Sequence, residues 1–452
     1  ELANEIGLLI LDEGHQFDNG TRGVTYELLI TSLKGLLPEA VQTVLISAVI
    51  SNAASIGEWL LGENGKIVRD TGIPPTYRTI GFSSWTTNQG RIYYQKNDDL
   101  DAEDFWVPRV IESESLELRG RERNEKNFPD KNEGSSVAAH LAIKLSKNGG
   151  TAIFCGAKLT AAKITKTIID AFDRGYTQPS PAEFSNQEEL NRISFLYAAN
   201  FGDDSTESIG ARLGVLSHHA SIPQGIRSAT EYALREGHAR LIVCTSTLAQ
   251  GVNLPIRYLI FTSIYQAGEK LRVRDFHNLI GRAGRSGMHT EGTILFADPE
   301  VYDKRNSRWR NGNWKFQSVK ELFDSSRSEP CASSLLKIFD PLYGEEDQLL
   351  EGHELLQILE NYYDNEASLE TLIETILEEN DGFEEKSLRR QLKYKLKIAG
   401  SVEGHLISAL HGLEGEERST YCTDLAQRTL AYHLANDEQK QALVELFSLI
   451  CR

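Results

Sequence analysis

Two carboxylates, Asp12 and Glu13, close a short apolar run, Ile6–Leu11, and are followed by Gly14 and His15. A carboxylate at the end of a buried strand can hold Mg²⁺ through water, and its neighbour can orient a water for attack on a terminal phosphate. Far along the chain, Gly281-Arg282-Ala283-Gly284-Arg285 sets two guanidiniums three residues apart. On a helix that spacing puts both on one face, where they suit the charge of a phosphoryl transition state. Between these segments, Thr245-Ser246-Thr247 leads to Gly251-Val252-Asn253-Leu254-Pro255 after another apolar run. Gly251 has no Cβ to keep backbone away from a phosphate or ribose. The plainer readings are a capped strand end at Asp12-Glu13 and arginines paired with surface carboxylates.

Elements of one kind must position these groups. Ile6–Leu11 and Val41–Ser47 read as buried parallel strands, with helices over Tyr26–Leu36 and Ala54–Leu61. After a charged stretch ending in Pro129-Asp130-Lys131-Asn132-Glu133-Gly134, a second alternation begins. Strands are expected at 151–155, 213–217, 240–244, 258–262 and 293–296, with helices between them. Alternation of this kind argues for open parallel sheets, so the fold class is α/β. Beyond about residue 335 the pattern turns helical; Leu369, Leu372, Ile373, Ile376 and Leu377 make one amphipathic stripe.

The chain has 452 residues and a net charge of -17. Residues 341–452 carry 23 acidic against 10 basic residues, so most of the excess sits in that tail. Bulk acidity excludes nucleic-acid binding by net charge, and any such surface must be local. Five scattered cysteines without a Cys-x-x-Cys pair argue against a zinc site and for a reducing, cytoplasmic setting. No apolar run approaches the length of a membrane helix.

Taken in order, the motifs resemble those of superfamily-two DExH-box helicases of the superkiller-like branch, over about residues 8–297. Arg22-Gly23 and Glu27 are similar to the family's pattern after the DExH box. Ser47-Ala48-Val49 resembles its Ser-Ala-Thr motif, with Asn52 and Glu58-Trp59-Leu60 following. Ile153-Phe154-Cys155, His218-His219-Ala220 with Arg227 and Glu231, Thr245–Pro255 and Gly281–Arg285 resemble the second-lobe motifs. Departures are Val49 for Thr, Ser221 for Gly, Asn278 for Gln and Met288-His289 for Tyr-Asp. The family's phosphate loop, G-x-x-x-x-G-K-[ST], does not occur; Gly62, Gly65 and Lys66 have the wrong spacing. The resemblance therefore implies that the N-terminal half of the first RecA-like lobe is missing.

The resemblance implies roles as well. Asp12 would coordinate Mg²⁺, Glu13 would polarise the attacking water, and His15 and Ser47 would couple the two lobes. Gly251 and Asn253 would touch ATP, Thr245, Ser246 and His218 would line the nucleic-acid track, and Arg282 and Arg285 would be arginine fingers. The carboxylate pair and the guanidinium pair would meet in one cleft. Ile264–Arg274 lies where the branch carries a strand-separating hairpin, with a turn at Gln266–Glu269; an ordinary loop is the other reading. The domain expectation is the rest of a first RecA-like lobe (1–83), a linker or insert (84–136), a second RecA-like lobe (137–300), a basic-aromatic connector (301–340) and an acidic helical domain (341–452).

Lys304, Arg305, Arg308, Arg310 and Lys315 interleave with Trp309, Trp314 and Phe316, cations with stacking faces that suit single-stranded nucleic acid. A packed linker is the alternative. Lys386, Arg389, Arg390, Lys393, Lys395 and Lys397 surround a leucine seam and read as a solvated face. The expected function is an ATP- and Mg²⁺-dependent helicase or translocase on single-stranded or partly duplex nucleic acid, DNA favoured over RNA, moving 3′ to 5′. A protein partner or effector would dock on the acidic helices, and no membrane is involved. The compact spacing and acidic tail point toward bacterial antiviral defence of the Hachiman type. The alternative is a non-catalytic nucleic-acid clamp or assembly subunit.

Overall fold

The computed structural model describes residues 2–38, 40–47, 50–63, 65–68, 77–86, 89–249, 254–266, 268–284, 291–307, 312–344, 349–350, 360, 369–379 and 382–451. The chain divides into two compact units, Glu1–Arg69 with Glu329–Arg452, and Asp70–Ser328. No described helix is long and apolar enough to cross a membrane.

In the first unit, β1 (Leu8–Leu11), α1 (Gly20–Leu36), β2 (Gln42–Leu45) and α2 (Ala53–Leu61) follow one another. β1 and β2 pair in parallel, with Leu8 opposite Gln42 and Leu11 opposite Leu45. A parallel pair needs a crossover, and α1 supplies it. The remaining core comes from the C-terminal helices Leu369–Glu379, Glu385–Ala409, Gly415–Arg428, Leu430–Leu434 and Asp437–Cys451. Val24 and Leu28 of α1 lie in one buried cluster with Leu388, Leu392, Leu406, Leu446 and Phe447. The acidic helices and α1, expected in separate domains, thus share a core.

Glu27 is the polar centre of that core and is fully buried. Its carboxylate accepts from the Ala431 backbone N–H at 2.7 Å and from the Ser333 hydroxyl at 2.6 Å. Burial pushes its pKa up to about 7, against the opposing pull of the Ser333, Ala431 and Leu430 hydrogen bonds. Lys395 departs from the solvated face expected of its helix. It is buried and donates to the carbonyls of Lys337, Ile338 and Asp340, closing the short helical turn Leu336–Phe339. Its three donors replace the partners those terminal carbonyls lack. Arg389 on the same helix pairs with Glu370 and Glu385.

The second unit is built on eight strands: β3 (Tyr77–Ser84), β4 (Gly90–Gln95), β5 (Glu103–Ile111), then, past the short hairpin β6 (Glu114–Leu116) and β7 (Lys126–Phe128), β8 (Thr151–Phe154), β9 (Val215–His218), β10 (Leu241–Cys244), β11 (Tyr258–Phe261) and, after the small pair β12 (Tyr265–Gln266) and β13 (Glu269–Lys270), β14 (Glu291–Phe296). Their order in the sheet is β5-β4-β3-β14-β11-β8-β10-β9. β8, β10, β9, β11, β14 and β3 run in parallel, and β4 and β5 add antiparallel strands at one side. Helices α3 (Gly134–Ser146) and α4 (Lys158–Asp173) pack with one face of the sheet, in a cluster holding Leu141, Ile164, Ile153 and Val243. The other face packs Leu190, Tyr197, Ile226 and Phe276 against Phe154, Phe261 and Phe296. Both faces are covered, as parallel sheets require.

Residues 84–136, read in the sequence as linker or insert, instead supply β4 to β7. β3, placed by sequence in the first lobe, pairs with β14 from Glu291 to Phe296. β3 thus finds its parallel partner more than two hundred residues away, which local periodicity does not register.

Candidate functional site

The Asp12–His15 turn leaves the end of β1. Glu13 takes the left-handed backbone region, φ 59°, which costs a non-glycine residue energy. Two contacts hold it there: the Asp12 Oδ1 accepts the Glu13 N–H at 2.8 Å, and Tyr26 Oη donates to the Asp12 carbonyl at 2.6 Å. Burial, then the charges of Asp12 and Glu13, push the Tyr26 pKa up to about 12, so the phenol stays a donor. His15 is buried, with Nε2 3.3 Å from the Glu13 carboxylate. The Gly14 N–H donates to the Ile46 carbonyl at 2.8 Å, and the Ile46 N–H to Leu11 at 2.8 Å. The carboxylates are thereby tied to the end of β2, where Ser47 follows. The Ser47 hydroxyl is enclosed without a hydrogen-bond partner among the described residues.

Gly23, from the Arg22-Gly23 pair, lies against the turn so closely that a Cβ would sit 2.3 Å from the Phe17 carbonyl oxygen. Only glycine lets α1 pack there. Asn52 makes a two-way amide contact with Cys331, donating to its carbonyl at 2.9 Å and accepting its N–H at 2.8 Å. Trp59 donates to the Arg428 carbonyl at 2.8 Å. These C-terminal partners were not foreseen; the buried Cys331 and the serines Ser333 and Ser334 carried no spacing signal. Asp12 itself is exposed. An exposed carboxylate at a parallel strand's carboxyl end fits a Mg²⁺ that keeps most of its waters. Among the described residues no cluster of His, Cys, Asp or Glu could hold a metal unaided.

In the second unit the ends of β9 and β10 carry His218 and lead to Thr245 and Ser246. His218 is buried; its Nε2 lies 2.7 Å from Glu231 and its Nδ1 3.0 Å from Thr247. Thr247 Oγ1 also donates to the His218 carbonyl at 3.1 Å, and the Thr245 N–H donates there at 3.2 Å. The imidazole is therefore engaged on both nitrogens and braces the Thr245–Thr247 loop from beneath. Ser246 Oγ accepts from Gln266 Nε2 at 2.9 Å. The Ile264–Arg274 segment forms the antiparallel pair β12–β13, with Gly268 at φ 92° in its turn. Its outer carbonyl and N–H close at Ile264 and Leu271, 2.9 Å apart.

Arg282 follows the helix α8 (Val273–Ile280; α5, α6 and α7 are Gln187–Phe201, Thr206–Arg212 and Gln224–Arg235) and is largely buried. The turn that carries it is fixed from two sides. The Gly284 N–H donates to Ile256 at 2.8 Å, and Gly284 and Gly292 approach so closely that a Cβ on either would lie within 2.6 Å of the other's backbone. Gly251, Asn253, Arg285, Arg308 and Trp309 lie outside the described residues. Of the basic-aromatic stretch, Lys304 pairs with Glu300, Lys315 with Asp298 and Glu300, and Arg305 stacks on Tyr302 at 3.6 Å. Phe316 is buried, and Trp314 is 39% exposed.

Residues 186–287 match the helicase conserved C-terminal domain. Across the chain the sequence is 27% identical to the Hachiman protein HamB of Bacillus cereus, over 97% of this chain and 37% of that protein. It is 26% identical to the ATP-dependent DNA helicase Hel308 of Methanococcus vannielii, over 67% of this chain and 36% of the other. The chain thus spans little more than a third of the length of these relatives. Among solved structures, the helicase MrfA bound to DNA and AMPPNP aligns with a TM-score of 0.43 and 17% identity, over 80% of this chain and 40% of that one.

Proposed function

We propose that the chain is the motor portion of a superfamily-two, ATP-dependent nucleic-acid helicase or translocase, with DNA as the favoured strand. The observation that carries this reading is the strained Glu13. Its left-handed backbone is held by the Asp12 carboxylate and the Tyr26 phenol rather than relaxed, which a mere strand cap would not need.

In this reading Asp12 would hold a bound Mg²⁺ through the ion's waters, and that ion would supply positive charge to offset the phosphates of ATP. Glu13, with His15 beside it, positions and polarises the attacking water. Arg282 and Arg285 meet the charge that develops on the transferred phosphoryl group, a contribution of about 10³–10⁵ in rate where such arginines are known. Gly251 and Asn253 contact the nucleotide, and His15 and Ser47 couple the two lobes. Thr245 and Ser246 contact backbone phosphate, while His218 acts on the strand only by holding their loop. Movement runs 3′ to 5′, and the biological setting is antiviral defence, supported by the similarity to the Hachiman protein over nearly the whole chain. The acidic helices dock a partner protein. A phosphate loop is required and is not among these residues.

The test is Glu13→Gln in the full-length protein, assayed for nucleic-acid-stimulated ATP hydrolysis. A loss of about 10²-fold or more is expected, with ATP binding retained. Turnover within a few-fold of the parent would return Asp12-Glu13 to a structural role and favour a clamp without ATP turnover.

A further inference from the structure

The second unit holds a small, partly open pocket of about 90 Å³ that the motor reading leaves unused. It opens at the carboxyl ends of the neighbouring parallel strands β11 and β14, the place where open α/β sheets take ligands. Phe261, Phe296, Ile264 and Val301 make its apolar floor. Tyr265 and Trp314 form the mouth, their rings 6.0 Å apart and inclined at 65°. Asp298 and Lys315, paired at 2.7 Å, place an acceptor and a donor on the wall. The indole of Trp314 stays partly exposed while Phe82, Phe296, Phe316 and Tyr302 nearby are buried. An aromatic left open at the rim of an apolar slot, beside one donor and one acceptor, matches a flat heteroaromatic ring with a polar edge.

The pocket is also wired to the strand track. β12 places Tyr265 at the pocket mouth and, one residue on, Gln266 on Ser246 Oγ. A strand whose phosphates lie along Thr245 and Ser246 would pass the mouth. The geometry points to a nucleobase site: one base of the bound single strand turns out of the stack, stacks on Trp314 and presents its edge to Asp298 and Lys315. This rests on the proposal that the protein binds a strand, and it adds a place where the strand is gripped by a base rather than by phosphate. Such a grip is sequence-tolerant, since every base offers a π-face.

The experiment uses the full-length protein and an oligothymidylate carrying a single 2-aminopurine, moved one position at a time. One position is expected to be quenched several-fold on binding. Trp314→Ala should restore its emission, and Trp314→Phe should keep most of the quench. An abasic site at that position should weaken binding to the parent protein roughly tenfold, and should leave Trp314→Ala binding unchanged. A thermal melt checks that Trp314→Ala is folded, and the Phe variant decides if it is not. Salt-dependent binding with no position-specific quench, or an equal abasic penalty in parent and Trp314→Ala, overturns the base site while leaving the strand-binding proposal standing. Loss of all strand binding in the parent overturns both. A free nucleotide, 2-aminopurine riboside triphosphate, is the comparison arm; a Trp314-dependent quench from it alone, with none from the strand, assigns the pocket to a mononucleotide and overturns the strand proposal for it.

Discussion

The sheet of the second unit and the β1–β2 pair of the first are made of the same material, short parallel runs of Leu, Ile and Val. They are finished differently. In the second unit helices cover both faces, and strand residues such as Ile153, Ile242 and Ile260 are fully buried. In the first unit the inward residues, among them Leu11, share clusters with α1, α2 and the C-terminal segment, whereas Leu8, Ile10, Val44 and Ile46 are 36% to 57% exposed. Two strands with one covered face cannot hold themselves. The first unit's stability therefore resides in its helices, and its Asp12–His15 turn is held by polar ties to Tyr26, Ile46 and Cys331. The second unit's motifs stand on packed strands.

That contrast predicts where damage is greatest. Phe296 lies in the ring stack of the second unit, 5.0 Å from Phe82 and 5.4 Å from Phe261. Phe296→Ala should cost about 3–5 kcal/mol of that unit's stability, read as lost hydrogen-exchange protection in β8, β11 and β14. Helix α1 should keep its protection. Simultaneous loss in both units would show that they unfold together and would break the comparison.

The two cores should also answer pH in opposite directions. Glu27 in the first unit has its pKa raised from 4.5 to about 7 by burial. A native carboxyl that holds its proton more tightly than the unfolded one contributes stability below about pH 4.5, and that contribution is lost as pH rises through about 7. His140 in the second unit is buried, with Nδ1 2.7 Å from Tyr176 Oη, and burial pushes its pKa down from 6.5 to about 4. Its contribution is present above pH 6.5 and is lost as pH falls through about 4. Each shift is worth about 3 kcal/mol over its window. Protection in α1 should decline from pH 5 to 7 and protection in α3 from pH 6.5 to 4, after correction for intrinsic exchange. Glu27→Gln, which keeps an acceptor for Ala431 and offers a donor to Ser333, should flatten the first slope and leave the second. Parallel slopes in both units would remove the distinction.

The legibility of the sequence follows the same division. Runs such as Thr151–Phe154 and Leu241–Cys244 announce a parallel sheet because they are apolar on both faces, and the strands at Asp12-Glu13 and Thr245-Ser246 were read from the same signal. β3 to β5 were not. β3 mixes Arg78, Thr79 and Gly81 among its apolar residues, and β5 is an edge strand, largely exposed and interrupted by Pro108, where neither alternation nor burial leaves a pattern. Nor could spacing show that Glu27 would bond to Ser333 and Ala431, three hundred and four hundred residues on. His218 was found by motif, but its burial, and hence its bracing role, depends on Glu231 arriving from α7.

The smallest effect belongs to the uncovered face. Ile10 is 57% exposed on β1, two residues before Asp12. If that face carries no packing in this chain, Ile10→Thr removes little apolar surface from contact and keeps a β-branched residue in the strand. Its stability change should stay within about 0.5 kcal/mol. Leu11, one residue on and facing inward, should cost about 2–4 kcal/mol when cut to Ala. The two variants differ by one step along the same strand, so their ratio measures how one-sided the sheet is. A cost for Ile10→Thr approaching that of Leu11→Ala would mean that the outer face is packed in the folded protein, and that the first unit is closed on both sides as the second is.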